Sequence, residues 1–438
     1  MLRTTDNNVG KWRTGDNHQN DCRPEECHLE NLKYIANKNI LELQKQHHNL
    51  LVFPQKWQLG VEKKNIIFEL SHDGILKTNN IMGFIGCGET QLTISSRFHS
   101  QSGDYFLHHM LSKVLGINVV NMNFQNSDES IHDFLPYLFP SYLQDALSQG
   151  LFKQYQRNQY NDSNVKGAIN INRHIKLNNP FVGKIAYTMR EHSHDNAVTQ
   201  LIRHTVEYLR MREFGHSILT GNPEIRACVS QIEYATPSYK KSDLQKVIRE
   251  NLKPVNHPYF VKYQNLQKLC LMILRREKTS FGSKNEIHGL LFDGAWLWEE
   301  YLNKIFTEQK LDFIHAENRT GKNPIYLFTD NKLYDRYPDF YKEDFVLDAK
   351  YRPRENIGRD DFHQIISYMY IQQVKLGGFI YPCKTEEKPE STIGTLKGYG
   401  GEIKMWSLQI PQDTDSFKSF SKKIQENEAG LKDNFTEC

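Results

Sequence analysis

Seven residues, FVLDAKY at 345–351, constrain this chain most tightly. Alternation over such a run marks a β-strand, whose successive side chains point to opposite faces. Phe345, Leu347, Ala349 and Tyr351 then share one face suited to a core, while Val346, Asp348 and Lys350 share the other. Asp348 and Lys350 therefore project together, their Cβ atoms roughly 7 Å apart along the strand. Asp339 arrives from the preceding segment, behind the backbone restraint of Pro338.

Two carboxylates facing one point attract a hard divalent cation. Mg²⁺ binds through one or two carboxylates and keeps waters for contact with substrate phosphate. A lysine beside it orients or deprotonates the attacking water, or neutralises charge developing on phosphorus. Phosphodiester cleavage needs those three functions. The plainer reading is a solvated strand face that carries an Asp and a Lys. Neighbouring segments favour the first. Glu299 and Glu300 lie in LLFDGAWLWEEYLNKIF, where Ala295, Trp298, Leu302 and Ile305 repeat at helical spacing. Gln364 and Tyr368 lie at i and i+4 in the amphipathic helix DDFHQIISYMYIQQV and share a face.

The same reading extends along the chain. PIYLFT reads as a strand, GGFIYP as a short buried strand, and KMWSLQI as an edge strand. Residues 384–402 read as a polar loop, and the last twenty-odd residues as solvated. Upstream, NIIFEL, NIMGFIGC and TQLTISSRF are short β-rich runs between turns. GDYFLHHMLSKVLGI is helical, and its adjacent His108 and His109 point to different sides, which argues against a shared metal. SIHDFLPYLFPSYLQDALSQGLFKQYQ reads as helix broken by Pro136 and Pro140, VKGAININRHIKLNNP as extended chain, and SHDNAVTQLIRHTVEYLRMR as a helix capped by Ser193 or Asp195. The expected fold class is α+β: a polar tail at 1–47, a β-rich domain at 48–128, a mostly helical region at 129–280, and a C-terminal α/β domain with a mixed sheet at 281–438. TSFGSKNE is the expected linker to that last domain.

Composition enters mainly by exclusion. A chain of 438 residues is long enough for two or three domains, and a net charge of +3 is compatible with nucleic acid without pointing to it. Arg203, Arg210 and Arg212 could reach DNA or a partner, but a solvated helix face is the commoner role. Seven cysteines are scattered without a CxxC pair, the usage of a reducing cytoplasm. His18, Cys22, Cys27 and His28 fit no zinc spacing. No apolar run approaches the roughly 20 residues of a membrane helix, and the N-terminus carries no apolar signal core. The expectation is a soluble cytoplasmic protein. AENRTGKN only echoes a phosphate-binding loop, lacking its first glycine and its hydroxyl residue, so no nucleotide is expected on this chain.

YPDF, VLDAKY and HQIISYMY, in that order, resemble the PD-(D/E)xK nuclease core. More narrowly, the chain resembles the McrC family, the nuclease subunits of McrBC-type and LlaJI-type restriction systems. GAININRHIKLN with HDNAVTQLIRHTVEYL is similar to that family's Gly-x-Ile strand and Asn-containing helix. LFDGAWLWEEYL is similar to the helix that opens its nuclease domain, and FIGCGETQLTISSRF to its N-terminal β region. The resemblance covers roughly residues 48 to 383. ISSRF departs from it where relatives commonly show a proline and a lysine.

The resemblance implies a Mg²⁺-dependent DNA endonuclease, with Mn²⁺ as a possible substitute. Asp339 and Asp348 would be the metal-binding acids, Lys350 the catalytic lysine, and Glu299 or Glu300 the first-helix carboxylate. Gln364 and Tyr368 match the helix motif that follows the lysine. It also implies an AAA+ GTPase or ATPase motor on another polypeptide, and a chain monomeric alone whose two copies meet for double-strand cleavage. Two other readings stay open at this point: a non-catalytic assembly subunit that stimulates the motor, and a stand-alone repair or RNA-processing nuclease.

Overall fold

A computed structural model describes residues 2–10, 13–14, 26–47, 49–54, 66–71, 74–88, 90–100, 103–115, 135–212, 215–275, 287–318, 320–385, 389–398 and 400–436. The chain forms two compact units, residues 1–133 with 281–438, and residues 134–280. TSFGSKNE lies outside the described residues, as do His18, Cys22 and the side chain of Cys27. Among the described residues no helix is long and apolar enough to cross a membrane.

The N-terminal half of the first unit runs β1 (Leu2–Thr5), β2 (Arg13–Thr14), α1 (Glu26–Lys33), α2 (Ile40–Gln46), β3 (Asn49–Phe53), β4 (Phe68–Leu70), β5 (Leu76–Thr78), β6 (Ile81–Cys87), β7 (Thr90–Ser95) and α3 (Tyr105–Leu115). The described part of 1–47 is not the expected tail. Leu2 is 1% exposed and pairs in register with Leu92 of β7. Leu32, Ile35, Ile40 and Leu43 enter the same apolar core as Leu50, Phe68 and Leu92. Asp6, also buried, accepts from the Arg97 backbone N–H at 2.5 Å and from its Nε at 2.8 Å. The segment looked polar because its strand is four residues long and turns only Leu2 and Thr4 inward.

The second unit contains α4 (Leu135–Leu147), β8 (Gln154–Asp162), β9 (Ala168–Ile169), α5 (Ile171–Leu177), β10 (Ile185–Ser193), α6 (Ala197–Arg210), α7 (Gly215–Thr220), α8 (Pro223–Ala235), α9 (Leu244–Glu250) and α10 (Lys262–Arg275). Its three strands pair antiparallel in the order β8-β10-β9. Three local expectations are corrected here. The helix α4 runs straight through Pro140, and Pro136 sits in its first turn, where a missing N–H costs little. The segment expected to be extended around 171–177 is helical, because Asn170 caps it by accepting from Arg173 N at 3.1 Å. Asn196, not Ser193 or Asp195, caps α6, in a capping box with Thr199.

The C-terminal half of the first unit runs β11 (Ile287–Asp293), α11 (Gly294–Gln309), β12 (Ile314–His315), β13 (Phe340–Lys342), β14 (Phe345–Ala349), α12 (Arg359–Gln372), β15 (Leu376–Cys383), β16 (Glu390–Thr395), β17 (Glu402–Gln409) and α13 (Phe417–Thr436). The strand β11 does not join the C-terminal sheet. It completes the N-terminal one, in the order β2-β1-β7-β6-β11-β3, so that sheet crosses the expected boundary at 281. The second six-stranded sheet, β12-β13-β14-β15-β17-β16, is mixed: β14, β15 and β17 are parallel and the rest antiparallel. This is an α+β architecture.

Both faces of β14 are covered, and all five of its residues are buried. Val346 packs with Ile365, Tyr368 and Met369 of α12. On the other face Phe345 meets Trp406 and Phe435, at ring centroid distances of 5.1 and 5.9 Å. Gly378 lets β15 approach β17; a Cβ there would lie 2.0 Å from the Lys404 carbonyl oxygen. Three further expectations are corrected. The stretch PIYLFT is no strand; Ile325 makes one bridge to Arg336, and Tyr326, Leu327 and Phe328 are exposed. The loop expected over 384–402 contains β16, paired with β17. The solvated C-terminus is instead α13, whose Phe417, Phe420, Ile424, Leu431 and Phe435 are buried. Apolar residues spaced three, four and seven apart within a highly charged sequence conceal that face.

Candidate active site

The antiparallel register of β13 and β14 aligns Phe340 with Leu347, and one further step places Asp339 opposite Asp348. Cross-strand neighbours project to the same face, so the two carboxylates converge under α12. Asp339 Oδ2 accepts from the backbone N–H of Ala349 at 2.7 Å, which holds it against the strand bearing Asp348 and Lys350. Asp348 is 1% exposed. A solvated strand face is thereby excluded.

Lys350 Nζ lies 2.5 Å from Asp348 Oδ2 and 3.3 Å from Asp361 Oδ1. Gln364 Oε1 accepts from Nζ at 3.5 Å, and Gln364 Nε2 donates to Tyr368 Oη at 2.8 Å. Tyr368 Oη donates in turn to the Tyr337 carbonyl at 3.4 Å. The side chains of Asp348, Lys350, Gln364 and Tyr368 thus form one continuous polar line, with Asp339 beside it. Asp339, Gln364 and Tyr368 line a cleft of about 670 Å³, with Glu299 and Glu300 of α11 on its wall. The helix α11 is set by Asp293, which caps it by accepting from Ala295 and Trp296 N–H, and its Trp298 and Tyr301 are buried on the side opposite solvent.

Electrostatics follow from this crowding. Burial pushes the Asp339 carboxyl up to about 7; Asp348 adds to the shift, and Lys350, the Ala349 N–H and His315 oppose it. Burial works against the charge of Lys350, yet Asp348 and Asp339 outweigh it and hold the ammonium above its ordinary range. Burial also pushes the Tyr368 hydroxyl up to about 12.

Three neighbours carry no signal in the sequence reading. Asp361 occupies the first turn of α12, where its Oδ2 accepts from Gly358 N at 2.8 Å and its Oδ1 is paired with Arg352. The acidic start of RDDF could have shown it as a helix-capping residue, but not as a partner of Lys350. His315 and Glu317 also line the cleft. They belong to no motif, because a two-residue strand and the turn after it bring them there. Burial lowers the His315 pKa, but Glu300 and the Asp339 carbonyl raise it further, leaving a net rise. Arg203 and Arg210 both pair with Glu207 and Glu233 in the second unit, and Arg212 lies over the Tyr208 ring.

The donor set fits a hard divalent cation. Asp348 Oδ2 is buried, and the Lys350 ammonium lies 2.5 Å from it. The nearby Asp339 carboxyl is pushed toward its neutral form by burial and by Asp348, a shift that a cation would oppose. Mg²⁺ takes oxygen ligands of this kind and keeps open positions for water and phosphate. Asp339 and Asp348 are the residues that would hold it, with Glu299 on the wall of the same cleft.

A family model described as McrBC 5-methylcytosine restriction system component matches residues 76–382. No curated protein matches the chain. Among solved structures, it is similar to a chain of the refined half-complex from the tetradecameric assembly of Thermococcus gammatolerans McrB AAA+ hexamers with bound McrC. That likeness has 13% identity and a TM-score of 0.49, over 97% of this chain and 99% of the other. A chain of the cryo-EM structure of the Thermococcus gammatolerans McrBC complex is similar at 13% identity and a TM-score of 0.32, over 72% and 89%.

Proposed function

From the premise that this chain belongs to the family of McrBC 5-methylcytosine restriction system components, we propose that it is the Mg²⁺-dependent endonuclease subunit of such a system. The observation that carries the reading is the convergence of Asp339, Asp348 and Lys350 at the edge of one cleft, with Lys350 Nζ 2.5 Å from Asp348. The substrate is the DNA backbone. The motor is an AAA+ protein on a separate polypeptide.

When bound, Mg²⁺ supplies Lewis-acid polarisation of the scissile phosphate and lowers the pKa of a coordinated water. The chain's own residues do the rest. Lys350 stays protonated at neutral pH, since two carboxylates raise its pKa. Its role is therefore to donate hydrogen bonds to a non-bridging phosphate oxygen as negative charge builds there, not to take a proton from water. Asp361 and Gln364 hold the ammonium from the α12 side. Tyr368 fixes the amide of Gln364. The Ala349 N–H keeps Asp339 aimed into the cleft.

The test separates assembly from chemistry. Purified with its motor partner, nucleotide and Mg²⁺, the wild-type chain should cut methylated plasmid. Lys350→Ala should abolish cutting while leaving complex formation and stimulated nucleotide hydrolysis intact. Stimulation without any cutting by the wild type would make the chain a non-catalytic assembly subunit. Cutting without the partner would make it a stand-alone nuclease.

A further inference from the structure

Beside Asp339 lies a second group of metal-ligating side chains, Glu300, His315 and Glu317, whose ligand atoms all fall within 4.8 Å of one another. They come from α11, from β12 and from the turn after it.

The histidine carries the argument. Its side chain is 8% exposed. Nδ1 lies 2.8 Å from the Asp339 backbone carbonyl oxygen, and a carbonyl only accepts, so Nδ1 bears the proton. Nε2 then points inward, toward the carboxylates. It faces Glu300 Oε1 at 3.9 Å, too far for a hydrogen bond. A ring nitrogen aimed at carboxylates needs a proton or a metal ion between them, and the 3.9 Å separation leaves room for an ion bound to both. A histidine whose outer nitrogen is bonded to a carbonyl, with its inner nitrogen directed at acidic side chains, is the usual arrangement of a metal-binding imidazole. Glu317 is oriented in the same way: Thr320 Oγ1 donates to its Oε2 at 2.8 Å, and Lys322 Nζ to its Oε1 at 3.2 Å.

We propose that Glu300, His315 and Glu317 form a second divalent-metal site in the nuclease cleft, one that takes a transition ion such as Zn²⁺ or Mn²⁺ in preference to Mg²⁺. An imidazole nitrogen with two carboxylates suits those ions, whereas Mg²⁺ prefers an all-oxygen set. The site goes beyond the nuclease reading and does not depend on it. Its ligands share the cleft wall with Asp339, so a cation there adds positive charge where a DNA backbone would pass.

The experiment uses the full chain alone, without partner or DNA. Mn²⁺ and Zn²⁺ are titrated calorimetrically in excess Mg²⁺, and Mn²⁺ coordination is read by pulsed electron paramagnetic resonance. The expected result is one equivalent bound with nitrogen coupling from an imidazole. Binding should persist in Asp339→Asn/Asp348→Asn. It should weaken at least about 10-fold in His315→Gln and in Glu317→Gln. Glu317→Gln guards against misfolding of the buried histidine variant, and circular dichroism checks both. No nitrogen coupling, or wild-type affinity in His315→Gln, would leave only a protonated histidine ion-paired with Glu300 and would overturn the proposal. Metal binding here together with no plasmid cutting by the wild-type complex would instead count against the nuclease reading alone.

Discussion

Exchanging Lys350 for methionine should destabilise the metal-free protein mainly through the charge it leaves behind. Nζ lies 2.5 Å from Asp348 Oδ2. At an effective dielectric of about 20, that separation carries about 6–7 kcal/mol of gross attraction. Burial of both ions takes back much of it, yet removing one partner of a buried pair still costs about 3–5 kcal/mol. Asp348→Asn should cost less, because Asp361 at 3.3 Å still holds the ammonium. The double variant should cost no more than Lys350→Met alone, since the lone Asp348 charge is gone, so the coupling should be at least as large as the Asp348→Asn cost. The assay is urea unfolding in EDTA at pH 8, followed by tryptophan fluorescence. All five tryptophans lie outside residues 134–280, so the signal reports the unit that holds the site. Millimolar Mg²⁺ should recover part of the loss in Lys350→Met and none in the double variant. Costs that simply add, to within about 0.5 kcal/mol, would show that the two groups are not a buried pair.

The raised Asp339 carboxyl gives a pH signature. Because its folded pKa of about 7 exceeds the unfolded 3.8, its contribution to stability is full below pH 3.8 and is lost as pH rises to about 7. Thermal midpoints in EDTA should show this decline in wild type and lack it in Asp339→Asn, and Mg²⁺ affinity should climb between pH 6 and 8 as the proton leaves. Glu428 accepts from Tyr301 Oη at 2.5 Å and pairs with His109 at 2.8 Å and Lys113 at 2.5 Å. Burial raises its pKa but those cations outweigh it, so stability it provides above pH 4.5 is lost on acidification; Glu428→Leu should cost about 3–5 kcal/mol by chemical denaturation. Gly378→Ala, whose Cβ would strike the Lys404 carbonyl, should cost at least about 3 kcal/mol or abolish soluble expression. Normal yield and unfolding midpoint would show that β15 and β17 can part there.

How much of this was legible in the sequence depended on periodicity and on local motifs. FVLDAKY exposed itself because period two separates core from site residues, and it placed Asp348 and Lys350 correctly on one face. It also suggested a solvent-facing side, which α12 covers; one strand cannot say how many layers lie above it. Gln364 and Tyr368 were readable from helical spacing. His315, Glu317 and Asp361 were not, since each reaches the cleft through chain reversals that leave no pattern. Glu317 lies inside AENRTGKN, where attention to the phosphate-loop echo hid a turn closed by the bridge from Glu317 to Lys322. The strand β1 and the helix α13 were missed because their apolar residues are sparse among charges, and only their partners reveal that they are buried.

The most direct test of the central claim is single-turnover cleavage of methylated plasmid by the complex, measured against Mg²⁺ concentration for wild type and Asp348→Asn. The account predicts saturable Mg²⁺-dependent cutting by the wild type. It also predicts a loss of about 100- to 1000-fold in the variant, the scale of one electrostatic group, with partner binding unchanged. Equal rates for the two proteins, or cutting that ignores Mg²⁺, would contradict it.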